Sequence, residues 1–207
     1  MFTHEKLTTS TLKFQKYVEP QLYSSGMFDP NNSYVILCEG DRDDLKTKMD
    51  RFAGIDMCTI DTANQVVQGI ASRVQQGPCW RTFTIRAITD NGNFDTELKK
   101  RALAIRNGDM YPTWTIQAYI SSEGVNAVRS TVGIVRTVDL FGYVINQIKS
   151  DNISTTSELI DRLVNDYSIG TLSIRRNISG SVFLVCDWND LIKEGIHISV
   201  LEDIFPE

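Results

Sequence analysis

Between residues 55 and 88 three strand-like segments follow one another with little between them, and no other feature narrows the possible folds as much. Residues 55–60 (IDMCTI), 66–75 (VVQGIASRVQ) and 80–88 (WRTFTIRAI) are rich in β-branched and aromatic residues. The connections, Asp61-Thr62-Ala63-Asn64 and Gln76-Gly77-Pro78, are too short for a crossover helix. The expectation is therefore a contiguous antiparallel meander. A helix is predicted to lead into it over 43–52 (DDLKTKMDRF), where Leu45, Met49 and Phe52 recur at helical spacing and Asp43 and Asp44 favour the N-terminal dipole. Another is predicted over 95–106 (DTELKKRALAIR), stopped by Asn107-Gly108. Residues 113–121 (TWTIQAYIS) then alternate as a strand should.

The flanking sequence is plainer. Residues 9–18 read as an amphipathic helix closed by Pro20, and 33–38 (SYVILC) as a short apolar strand or helix start. A strand over 131–137 and a helix over 139–149 come next. Thr155 and Glu158 spell a capping box before a helix over 156–167. Residues 171–176 and 181–188 form a predicted hairpin around Asn177-Ile178-Ser179-Gly180. The expected organisation is a helical lead-in (1–38), an α/β core (39–150) and an α+β extension packed on it (151–207).

Composition removes several function classes. With 207 residues, 42% hydrophobic and 23% charged, the chain can bury a core and is not of a disordered type. No run reaches the roughly 18 apolar residues of a membrane span, and the first residues lack a signal-peptide core, so a cytoplasmic protein with no membrane partner is expected. The four cysteines form no CxxC pair and the two histidines, His4 and His197, lie near opposite ends. A zinc site or a Ser-His-Asp triad is thereby disfavoured. No Walker loop, GxGxxG or HExxH is present. The overall charge is −5, yet residues 80–106 carry net +3 and residues 187–207 net −5. A basic middle in an acidic chain suits a local phosphate-binding face.

The order αβββαβ, with Asp50-Arg51-Phe52-Ala53-Gly54-Ile55-Asp56 leading from helix to strand, resembles the core of the PD-(D/E)XK superfamily, the restriction-endonuclease-like fold. The resemblance covers about residues 39–121. It implies a nuclease that hydrolyses phosphodiester bonds, most naturally in DNA, with Mg or Mn as cofactor and a homodimer compatible with the fold. Asp56 would be the metal ligand. The next strand should carry acid-x-Lys, but the chain reads Ile70-Ala71-Ser72-Arg73-Val74-Gln75. Arg73 and Gln75 would stand in those places if the hairpin pairs residues whose numbers sum to an odd value, and Ser72 would replace them after a one-residue slip. Glu39 and Asp50 are then the candidates for a second carboxylate. Arg86, Lys99 and Lys100 are candidate phosphate clamps. Glu97-Leu98-Lys99 also spells acid-x-Lys, but on a helix its two charges face different ways. A second resemblance, of Tyr34–Glu39 and Gly40 (YVILCEG) to the opening of a Toprim domain, lacks the later Asp-x-Asp. The alternative to catalysis keeps the fold and makes the chain a lapsed nuclease that binds nucleic acid or assembles with protein. Trp80, Phe83, Trp114 and Tyr119 are candidates either for base stacking or for ordinary packing.

Overall fold

A computed structural model describes residues 11–35, 54–61, 66–122 and 127–206. The expected helix over 43–52 and the candidates Glu39 and Asp50 lie outside those residues, as does the Glu39-Gly40 of the Toprim-like opening.

The chain is mixed α/β with two sheets. The first is six-stranded, in the order β1 (Ser33–Val35), β2 (Met57–Asp61), β3 (Val66–Gln76), β5 (Trp114–Ser122), β6 (Ala127–Arg136) and β10 (Ser199–Pro206). Its neighbours are antiparallel except β3 and β5, which run parallel with Ile70 opposite Trp114. The second is antiparallel: β4 (Thr82–Ile88), β9 (Val182–Asp187), β8 (Leu172–Arg176) and β7 (Ser168–Ile169).

This corrects the expected meander. All three predicted segments are strands, but β4 leaves the sheet of β2 and β3 and pairs with β9 instead. Both edges of β3 are taken, one by β2 and the other by β5. Between β3 and β4 the chain turns away through Gly77 and Pro78, and Arg81 adopts a left-handed φ of 52°. A hairpin back onto β3 has no edge to meet.

Residues 151–207 supply strands to both sheets, β7, β8 and β9 to the second and β10 to the edge of the first. The hairpin of β8 and β9 forms as expected, closed by the Asn177 N–H donating to Ser181 O at 3.1 Å.

Helices cover the sheets according to their apolar faces. A π-helical turn (Phe14–Val18) runs into α1 (Glu19–Ser24), so the N-terminal helix continues past Pro20 rather than ending there. Pro20 has no N–H to give, sits in the first turn of α1, and is preceded by an N–H from Glu19 that reaches Phe14 O in the wider turn. Phe14, Val18 and Leu22 bury against Met57, Ile70, Ile116, Ala118, Val132 and Ile134 of the first sheet. A larger core joins Phe83, Ile85, Leu184 and Ile174 of the second sheet to Phe141 and Val144 of α3 (Thr137–Ser150), to Leu98 of α2 (Glu97–Asn107) and to Leu163 of α4 (Thr156–Asn165). Trp188, which opens the short α5 (Trp188–Lys193), is fully buried there and packs over Gly133. Among the described residues no helix is long and apolar enough to cross a membrane.

Candidate functional site

Strand alternation places the polar face of β4 opposite the polar face of the first sheet. In β4, Phe83, Ile85 and Ala87 are buried in the core while Thr82, Thr84 and Arg86 point the other way. There Thr84 Oγ1 donates to Gln117 Oε1 at 3.0 Å and the Tyr119 hydroxyl meets Thr82. In β3 the same alternation turns Ile70 to the N-terminal helix and Ala71, Arg73 and Gln75 to the opposite face. The gap between them is a cavity of about 350 Å³, flanked by α2.

Its lining is charged. Arg73, Arg86, Lys100 and Arg101 meet Asp56, Asp95 and Glu97 in one cleft, with Gln117 at its floor. Glu97 organises it. The Arg73 guanidinium donates to it at 2.8 Å and the Arg86 backbone N–H at 3.2 Å, while Arg101 forms an ion pair with it at 2.6 Å. Burial pushes this carboxyl up, but the two guanidiniums and the Arg86 amide outweigh burial and hold it below the usual glutamate value. Arg101, itself buried, also donates to Gly54 O at 3.3 Å and so ties α2 to the approach to β2. Gly54 has φ +65°, and a Cβ there would press on the Arg101 guanidinium. Burial, followed by the like charge of Arg73, pulls the Arg86 guanidinium below its ordinary value. Gln117 is 1% exposed, and its Nε2 has no hydrogen-bond partner among the described residues.

The β2 and β3 hairpin takes the odd-sum register, with Met57 opposite Ile70 and Cys58 opposite Gly69. Asp56 and Arg73 therefore line the same cleft, as that register requires. Asp56 nevertheless has a structural task. Its N–H donates to Ile70 O at 2.8 Å, and its Oδ2 accepts the Ser72 N–H at 2.5 Å and the Ser72 hydroxyl at 3.1 Å. The side chain thus satisfies the Ser72 amide just beyond the first paired residue of β2.

Other candidates are distributed differently. Gln75 lines a neighbouring groove with Arg73, not the cleft of Asp56. Lys100 lies at the cleft, 3.8 Å from Asp95. Lys99 is outside the lining and pairs with Asp95 at 3.6 Å, and Glu97 points into the cleft from the same helix, as helical periodicity demands. Of the aromatic candidates, Phe83 and Tyr119 are buried and Trp80 is exposed. Sequence reasoning did not single out Arg101 or Gln117. The signal for Arg101 was its i,i+4 spacing from Glu97, while Gln117 meets Thr84 only once β4 lies against β5, which no local pattern announces.

Among the described residues no cluster of metal-ligating side chains forms. Asp56 is committed to Ser72, Glu97 is neutralised by two guanidiniums, and no three His, Cys, Asp or Glu side chains converge among the described residues. No family model matches this chain, and no curated protein or solved structure matches it either.

Proposed function

We propose that this chain binds nucleic acid, taking backbone phosphate into the cleft between its two sheets, as a nuclease-like fold in which binding outlasts catalysis. The observation that supports this reading is the set of donors around the cleft: Arg86 and Lys100, with Arg73 and Arg101 that also pair with Glu97, and Gln117 Nε2, which has no hydrogen-bond partner among the described residues. Arg73 and Arg86 stand close enough for one to depress the other's pKa, and both guanidiniums lie over the Phe183 ring, 5.2 and 5.6 Å from its centre. Glu97 offsets part of their repulsion, and a further anion would gain charge-assisted hydrogen bonds from the guanidinium donors that Glu97 leaves over. A planar guanidinium matches the geometry of phosphate, and most protein–nucleic-acid hydrogen bonds go to backbone phosphate and sugar.

The test is the salt dependence of binding. Removing one phosphate-binding side chain should lower the slope of log K against log salt by roughly 0.7 to 0.9. Arg86→Ala and Lys100→Ala should weaken binding and flatten that slope, whereas Lys99→Ala, outside the cleft, should leave both nearly unchanged. Equal weakening by all three variants, or by none, would remove the cleft from the account.

A further inference from the structure

The polar surface does not end at Phe183. Strand register carries a row across the second sheet: Arg86 on β4 lies opposite Phe183 on β9, which lies opposite Arg175 on β8. The next row is Thr84, Val185 and Ser173, and then Thr82 faces Asp187. Apart from Arg86, which lines the cleft, these rows floor a groove of about 910 Å³ that shares Arg73 and Thr84 with the cleft and is also lined by Gln75, Arg175 and Trp80. From Thr82 to Arg86 the strand covers about 13 Å at 3.3 Å per residue. Not every charge along the groove is available. Arg176 donates to the carbonyls of Leu163, Val164 and Asp166, Asp187 accepts the Asn189 N–H, and Asp190 pairs with Lys193.

Trp80 stands beyond the end of β4 at 62% exposure. Its loop is pinned on both sides, by the Gly77 N–H donating to Ile120 O at 2.9 Å and by the Trp188 N–H donating to Arg81 O at 2.9 Å. A large apolar ring is thus held at the solvent boundary of a groove that carries arginines at its other end. Duplex DNA hides its base faces and offers such a ring nothing to stack on, while an unpaired strand offers base faces and phosphates together.

Resting on the nucleic-acid reading above, we infer that this groove, continued into the cleft through their shared Arg73, binds a single strand, with phosphates at Arg73 and Arg175 in the groove and at Arg86 in the cleft, and a base stacked on Trp80. The chemistry is the same for single-stranded DNA and RNA.

The experiment titrates oligothymidylate of roughly 16 nucleotides, the upper end of common single-strand site sizes, into the full chain while following tryptophan fluorescence. A duplex of equal length is titrated in parallel. Trp188 is fully buried and Trp114 donates its indole N–H to Gln68 at 2.8 Å, so Trp80 is the exposed reporter. The single strand should quench and bind more tightly than the duplex. Trp80→Ala should abolish most of the quenching and weaken single-strand binding about tenfold, with its melting temperature unchanged. Arg175→Ala should lower the salt slope by roughly 0.7 for the single strand. Duplex bound as tightly as single strand, with Trp80→Ala without effect but Arg86→Ala still weakening, would overturn the single-strand groove and leave the proposed function standing. Neither nucleic acid bound by the wild type at low salt would overturn both.

Discussion

Arg73 on β3 donates to the Glu97 carboxylate of α2 at 2.8 Å, and Arg101 reaches the same carboxylate at 2.6 Å, so one largely buried anion joins a sheet to a helix at the mouth of the cleft. Removing that charge leaves two guanidiniums without their counter-ion. Glu97→Gln should therefore cost about 3 kcal/mol at neutral pH, the scale for breaking a buried pair from one side. The sign with pH follows from the lowered carboxyl. Its contribution is complete above the ordinary value of 4.5 and is lost as pH falls through the depressed folded value. Urea unfolding of both proteins from about pH 6 to about pH 3 should show the gap between them narrowing; a gap that stays constant would mean Glu97 is not an ionised partner.

Packing makes a second prediction. Gly133 lies in β6 directly beneath the Trp188 ring, and a Cβ there would overlap the indole. Gly133→Ala should destabilise by about 3 kcal/mol, at the upper end of overpacking, because Trp188 is enclosed by Phe83 and Tyr119 and cannot move aside. Thermal unfolding checks it, and near-wild-type stability would show that the ring has room.

Capping supplies a third. Thr155 Oγ1 accepts the Glu158 N–H at 3.2 Å and Glu158 Oε2 accepts the Thr155 N–H at 3.0 Å, the reciprocal box expected from the residue spacing. Thr155→Ala should lower the melting temperature by about 3 °C. A change no larger than that of a neighbouring exposed substitution would deny the cap a share in stability.

Local elements were legible because their signals are local. The capping box of α4, the Asn107-Gly108 stop, with Gly108 in the left-handed region, and the hairpin of β8 and β9 each rest on residues a few positions apart. What was illegible depended on partners far along the chain. Nothing near residue 80 announces that β4 pairs with residues 182–187, and nothing in Ser199–Pro206, where Glu202 and Asp203 interrupt the apolar residues, announces an edge strand on β6. The candidate site divides along the same line. Asp56 and Arg73 share the cleft because a hairpin register is a short-range property, whereas Gln117 and Phe183 reach Thr84 and Arg86 only once β5 and β9 have been placed.

The final prediction concerns Asp56, where the resemblance to nucleases and the geometry pull apart. As a metal ligand it would need a second carboxylate within the same cleft, and the two there among the described residues are already paired, Glu97 with Arg73 and Arg101 and Asp95 with Lys99 and Lys100. As a structural acceptor it takes two hydrogen bonds from Ser72. Asp56→Asn keeps an oxygen for one of them but loses the charge, so it should destabilise by about 1.5 kcal/mol and leave nucleic-acid affinity within a few-fold. Wild-type protein is expected to leave single-stranded and duplex substrates intact in magnesium and in manganese, and neither ion should raise its melting temperature, since a ligand bound only to the folded state must do so. Metal-dependent cleavage that Asp56→Asn abolishes, with folding preserved, would reverse this assignment. It would make Asp56 a working ligand and return Glu39 and Asp50 to the search for its partner.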